Sequence, residues 1–131
     1  MAAVEFAILG TAFIMILGGI IDFGHAWYLK QLVTNASREG ARYGVAYQVD
    51  STATRTKPQN FSPTIEVYTN GLLSGLSTTV TPSGAGYTTG AKGQPVQVKV
   101  NAPKNWFFLG SFLPSGTLPT TLSTTTTMLC E

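Results

Sequence analysis

Few side chains in this 131-residue sequence are suited to chemistry, and the most informative of them is Glu5. It lies in an otherwise apolar stretch, where a charged side chain costs roughly 2.5–3.5 kcal/mol on membrane-insertion scales. The next basic side chain is Lys30, far along the predicted helix. The α-amine of Met1, from the same chain or from a neighbouring copy, is therefore the expected partner. A Glu5 solvated among lipid headgroups, without a specific partner, is the alternative.

Asp22 and His25 are the next candidates, because residues three apart on a helix can touch. A hydrogen-bonded pair at the membrane boundary, or between packed helices, is the expected arrangement. No Cys/His cluster accompanies them, and a metal site or a catalytic dyad would need more ligands. The single cysteine, Cys130, is predicted to be a buried thiol, with an intermolecular bridge as the alternative. We therefore expect no enzymatic activity, cofactor or metal.

Composition narrows the classes of partner. Charged residues make up 11% of the chain, against about 25% in an average soluble domain. So few charges indicate a surface that faces lipid, other subunits or glycans. The net charge is +2 with no basic run, so nucleic-acid binding is not expected. Two sequons begin at Asn35 and Asn60, and Asn60 is the better glycosylation candidate because Asn35 falls within the predicted helix.

A single long helix must position Glu5, Asp22 and His25. Residues 6–21 carry no charge, and the chain has no proline before residue 58, which predicts one helix from about Ala2 to about Val49. At 1.5 Å per residue it would be about 70 Å long, more than any bilayer requires. Its second half must therefore pack on something else. Ala36, Gly40 and Gly44 form a stripe of small residues that allows close packing, either under the chain's own sheet or against another subunit.

The remaining residues, 50–131, predict a small β-rich head. A short helix is expected from Pro63 to about Gly75, followed by strands at 76–81, 95–102 and 120–129. Val96, Val98 and Val100 alternate with polar residues, which is typical of a half-buried strand. The apolar residues of 106–114 are expected in the core, with an exposed interface patch as the alternative. The predicted fold is α+β, with a small antiparallel sheet packed on the C-terminal half of the long helix.

Three segments carry a resemblance to a known family. They are Ala2-Ala3-Val4-Glu5-Phe6-Ala7, Ile21-Asp22-Phe23-Gly24, and Leu32 to Val45, which is similar to a family segment written NAAREGAR. The sequence resembles TadE-type pilins, a branch of the type IV pilin superfamily. The resemblance implies a type IV pilin-like fold, and a helix that anchors the subunit in the inner membrane and later forms the filament core. It also implies that Met1 is the N-terminus left by a prepilin peptidase.

The expected function is a structural pilin subunit of a type IV (Tad-like) filament on the cell surface. Its partners would be copies of itself, the inner membrane before assembly, a prepilin peptidase and the pilus assembly machinery. The alternative within the family is a minor pilin or pseudopilin that stays anchored and primes or regulates a pilus or secretion machine. A membrane-anchored enzyme or binding module is a further alternative, which the head's few charged residues disfavour.

Overall fold

A single helix, α1 (Ala2–Val45), dominates the computed structural model, which describes residues 1–114 and 116–131. Its 44 residues correspond to about 66 Å. The predicted end near Val49 was wrong by four residues. Ala46 turns to an extended conformation (φ −59°, ψ 139°), and an isolated bridge pairs Val49 with Arg55. The chain thus leaves the helix to form a loop, which no glycine or proline in the sequence had signalled.

The two halves of α1 have opposite environments. From Met1 to Leu17 every side chain is exposed, apart from the partly covered Gly10. Near its N-terminus α1 is long and apolar enough to cross a membrane, with a mean hydropathy of 2.2 over an 18-residue window. The C-terminal half instead packs on the head. Its buried residues from Leu29 onward are Leu29, Val33, Ala36, Ser37, Gly40, Ala41, Gly44 and Val45.

The head contains a three-stranded antiparallel sheet in the order β1-β2-β3. Its strands are β1 (Thr79–Ser83), β2 (Pro95–Pro103) and β3 (Thr121–Leu129). The predicted strands at 95–102 and 120–129 are confirmed to within one residue. The first strand was expected at 76–81 but begins later, because two turn hydrogen bonds, from Leu76 N–H to Leu73 O and from Thr78 N–H to Leu76 O, occupy the preceding residues.

Alternation along β2 creates the core. Val96, Val98 and Val100 are completely buried, whereas Lys99 between them is exposed. β2 and β3 lie against α1, while β1 lies at the edge of the sheet next to α2 (Ile65–Leu72). The core thus lies between α1, α2 and one face of the sheet. It comprises Val33, Ala36, Ala41, Val45, Ile65, Leu73, Val80, Val96, Val98, Val100, Ala102 and Cys130.

Short helices complete the head. α2 begins at Ile65, two residues after the predicted start, because the Thr64 hydroxyl caps it by accepting a hydrogen bond from Val67 N–H at 3.4 Å. The other helices are a 3₁₀ turn (Pro58–Asn60), α3 (Ala85–Thr89) and α4 (Leu109–Phe112). The predicted α+β class, with a sheet packed on the C-terminal half of a long helix, is confirmed.

Candidate assembly site and helix–head junction

Glu5 lies on the exposed, apolar end of α1. Within residues 1–114 and 116–131 no cationic nitrogen comes within 4.0 Å of its carboxylate, and this includes the α-amine of Met1. The two residues are linked only through the backbone, where Glu5 N–H donates to Met1 O at 3.3 Å. Among the residues that the structure describes, neither the carboxylate nor the amine therefore has an ionic partner.

Asp22, by contrast, is fully buried and well partnered. Its Oδ1 accepts a hydrogen bond from Phe107 N–H at 2.9 Å, and its Oδ2 accepts from Phe108 N–H and Leu109 N–H, both at 2.8 Å. Hydrogen bonds to an ionised acceptor are about twice as strong as neutral ones. One helical carboxylate thus holds the backbone at the start of α4 against α1.

Lys104 completes this junction and was not foreseen. Its Nζ lies 4.0 Å from Asp22 Oδ1 and 3.0 Å from His25 Nδ1, and it donates to Asn105 O at 2.7 Å. The Trp106 ring covers the ammonium, with its centroid 4.7 Å from Nζ. The side chain is buried, so each of these contacts replaces water.

The expected direct hydrogen bond between Asp22 and His25 is not formed. Both side chains turn toward the head instead. There Asp22 binds three backbone amides and lies near the Lys104 ammonium, and His25 contacts the same ammonium. These partners are stronger than a direct hydrogen bond between Asp22 and His25 would be. Sequence reasoning missed Lys104 because it lies 79 residues beyond His25. The sequence did contain one signal for Lys104. A buried carboxylate such as Asp22 requires a cation, and Lys104 adjoins the most apolar stretch of the head.

The segment from Trp106 to Leu113, here called the aromatic loop, is mostly exposed, and only Trp106 and Leu109 in it are half-buried. Phe107 and Phe112 are 63% and 61% exposed, so the expectation of core packing was wrong. Phe108 leans on α1 over Gly18, and the Phe107 ring lies 5.7 Å from the His25 ring between centroids. A Cβ at Gly18 would lie only 2.6 Å from Phe108 Cγ, so this glycine is required for the close approach. The loop is short of apolar neighbours because the core is already filled by the sheet, α1 and α2.

The stripe of Ala36, Gly40 and Gly44 packs inside the chain itself. A Cβ at Gly44 would lie 2.7 Å from Ile65 Cδ1, and one at Gly40 would collide with the Thr69 side chain. The stripe thus packs within the subunit, but mainly under α2 rather than under the sheet as expected, and its use against another subunit stays a prediction. The contacts come from α2 and β2, which bring Ile65, Thr69 and Val96 onto the helix.

Ser37 adds a polar anchor between helix and sheet. Its buried hydroxyl donates to Val98 O at 2.8 Å and lies 2.9 Å from Thr126 Oγ1. The same segment therefore carries both the small residues and a hydrogen bond that reaches β2 and β3. This packing explains why small residues alternate with polar ones around positions 36–44. The small residues face the head, and the exposed Arg38 and Arg42 face away from it.

Two further predicted residues have definite positions. Cys130 is a buried free thiol, which confirms that prediction. Asn60 is exposed at the end of the 3₁₀ turn, so it is accessible, and its glycosylation stays a prediction. Among the described residues, no group of three or more His, Cys, Asp or Glu side chains could hold a metal ion.

The chain combines a long helix, whose N-terminal half is exposed and apolar, with a small sheet packed on the C-terminal half. The family model described as TadE-like protein matches residues 1–42, which confirms the suspected resemblance to TadE-like pilins. The matched segment contains Glu5, Asp22, Ala36 and Gly40. No curated protein and no solved structure matches the chain. The match covers the helix and not the head, and together with the apolar helix it fits membrane anchoring or a pilus.

Proposed function

We propose that this chain is a structural pilin subunit that assembles through α1 into a type IV (Tad-like) filament on the cell surface. The observation that carries the proposal is the exposed apolar half of α1 with Glu5 at its head and no cation within 4.0 Å among the described residues. A continuous exposed apolar surface marks a site of contact with a membrane or with other proteins. It therefore requires a cover, either lipid or other subunits.

Before assembly, that cover is the inner membrane. The stretch from Ala2 to Ile21 rises about 30 Å as a helix, which equals the thickness of the hydrocarbon core. Asp22 then falls at the boundary, and Trp27 and Tyr28 lie in the interfacial zone that aromatic residues favour. The sheet, which packs on the part of α1 that begins near Leu29 and Val33, lies outside the hydrocarbon core.

After assembly, neighbouring helices replace the lipid, and the Met1 amine of one subunit pairs with Glu5 of the next. The proposal takes Met1 as the residue that prepilin peptidase leaves at the N-terminus. A buried ion pair adds little net stability, but an unpaired buried charge costs about 3–5 kcal/mol. Only one axial register satisfies both charges, so the pair selects that register during subunit addition.

A second candidate function is that of a minor pilin or pseudopilin that stays anchored and primes or regulates a pilus or secretion machine. The family match, which ends at residue 42 and does not reach the head, supports this function as well as the first. The same anchor and the same Glu5 would serve such a subunit. The two functions differ in copy number, since a structural subunit forms the bulk of the fibre.

The deciding experiment compares sheared surface material with the inner-membrane fraction. For a structural pilin we expect fibres composed mainly of this chain. Glu5→Ala and Glu5→Gln should leave the protein in the membrane fraction and reduce the fibre yield, because the neighbour's amine loses its partner. Glu66→Gln is the matched control, since it neutralises a carboxylate on the head.

Three results would contradict parts of this proposal. Wild-type fibre yield in both Glu5 variants would refute the pairing with the amine. Fibres built of another protein, with only traces of this chain, would favour the minor-pilin function. Absence of the chain from membranes and fibres alike would refute both functions.

A further inference from the structure

We propose that the aromatic loop is a second membrane contact of the unassembled subunit, inserted into the headgroup region of the bilayer beside α1. The inference rests on the proposed membrane anchoring of α1 and adds a surface of the head to it. The loop's exposed apolar side chains are those of Phe107, Phe108, Phe112 and Leu113.

The position of the loop along α1 supports this inference. Asp22 binds the amides of residues 107–109, and Phe108 lies over Gly18, one helical turn nearer the N-terminus. One turn is about 5.4 Å. If Ala2 to Ile21 spans the hydrocarbon core, the backbone of the loop lies at the boundary and the Phe108 ring lies just within it.

Its chemistry fits an uncharged lipid interface. Residues 105–119 contain no ionisable side chain, and the neighbouring Lys104 is buried against Asp22 and His25. The one polar aromatic, Trp106, donates its indole N–H to Pro119 O at 2.9 Å. The loop therefore presents apolar rings without a free charge, so no anionic lipid is needed to hold it.

Lipid is favoured over a second copy of the chain as the occupant because the loop surface is continuous with the exposed half of α1. At Gly18 the two surfaces meet in direct contact. Whatever medium surrounds α1 at this level must also surround the rings beside it. In the unassembled subunit that medium is the bilayer, and contact with another subunit is the competing outcome of the test.

The test uses tryptophan fluorescence of the full chain in phosphatidylcholine vesicles at low protein density. The chain has two tryptophans, so Trp27→Phe leaves Trp106 as the only reporter. Vesicles contain lipid brominated either near the headgroup or near the chain ends. We expect Trp106 to be quenched more by the shallow bromines than by the deep ones, because the loop lies at the boundary.

A tryptophan reporter on α1 distinguishes failure of the loop inference from failure of the proposed membrane anchoring of α1. Combining Trp27→Phe and Trp106→Phe with Phe13→Trp places the only tryptophan on the exposed apolar part of α1. Strong quenching there by deep bromines, with none at Trp106, would overturn the loop inference and keep the anchor. No quenching at either position would overturn both. If Trp106 emission changes with protein density and not with bromine position, the occupant is a second copy of the chain.

A paired variant tests the role of the rings. Phe107→Asn combined with Phe112→Asn removes the two most exposed aromatic rings but keeps the backbone amides that Asp22 binds. We expect the shallow quenching of Trp106 to decrease. Val67→Asn changes an equally exposed apolar residue on α2 and should leave the quenching unchanged. Equal quenching in the Phe double variant and in the Val67 control would count against membrane contact through these rings.

Discussion

Replacing Asp22 by asparagine removes one charge from the helix–head junction with almost no change in volume. The asparagine side chain has a single acceptor oxygen, whereas the carboxylate accepts hydrogen bonds through two. The variant therefore leaves at least one of the amides of residues 107–109 weakly bound. It also leaves the buried Lys104 ammonium without its counter-ion.

The expected cost follows from these contacts. Breaking a buried ion pair by removing one partner costs about 3–5 kcal/mol. In the variant, Lys104 keeps its contacts with His25, Asn105 and the face of Trp106. The expected cost is therefore near the lower limit of that range. A loss of about 3 kcal/mol in the docking of the loop corresponds to roughly a hundredfold change in its opening equilibrium.

Amide hydrogen exchange in detergent micelles measures that equilibrium directly. We expect the amides of Phe107, Phe108 and Leu109 to exchange roughly a hundredfold faster in Asp22→Asn, because exchange follows the population of the open state. The core amides of β2 should keep their protection, since β2 and β3 have their own contacts with α1. Asp50→Asn is the control, because Asp50 binds the amides of Thr52 and Thr54 in an exposed loop.

Unchanged exchange at residues 107–109 would refute the assignment of Asp22 as the residue that holds the loop. Equal acceleration throughout β2 would refute the local character of the opening. In that case the junction would support the whole head, and the aromatic loop could not detach by itself.

Three further outcomes are expected. Gly40→Ala should lower the thermal midpoint of the head, because overpacking against Thr69 costs about 1–3 kcal/mol, whereas Gly24→Ala, which has open space beside it, should not lower it. Ser37→Ala should destabilise the head by about 1–3 kcal/mol in denaturant titrations, because Val98 O loses a buried hydrogen-bond donor. Cys130 should react with a maleimide only after denaturation, and rapid labelling of the folded chain would contradict its burial.

Local patterns were sufficient to predict most of the fold. The alternation of Val96, Val98 and Val100 indicates a strand with one buried face, and this holds because side chains in a strand alternate between faces. The long helix was predicted from uninterrupted apolar and amphipathic spacing. Its end was not, because Ala46 departs from helical geometry through the loop that Val49 and Arg55 close.

The junction could be predicted only in part. Asp22 and His25 were identified as residues that need partners, but those partners lie 79 to 87 residues further along the chain. Three of Asp22's four contacts are backbone amides, which carry no sequence signal. The aromatic loop was predicted in the core because phenylalanine is usually buried, but the core is already filled by the sheet, α1 and α2.

The most direct test of assembly through Glu5 is a reconstruction of the sheared filament at side-chain resolution. We predict that the Glu5 carboxylate of each subunit lies within ion-pair distance of the Met1 amine of a neighbour, with the apolar half of α1 packed inside the fibre. A filament in which Glu5 faces solvent, or pairs with the amine of its own chain, would contradict the account.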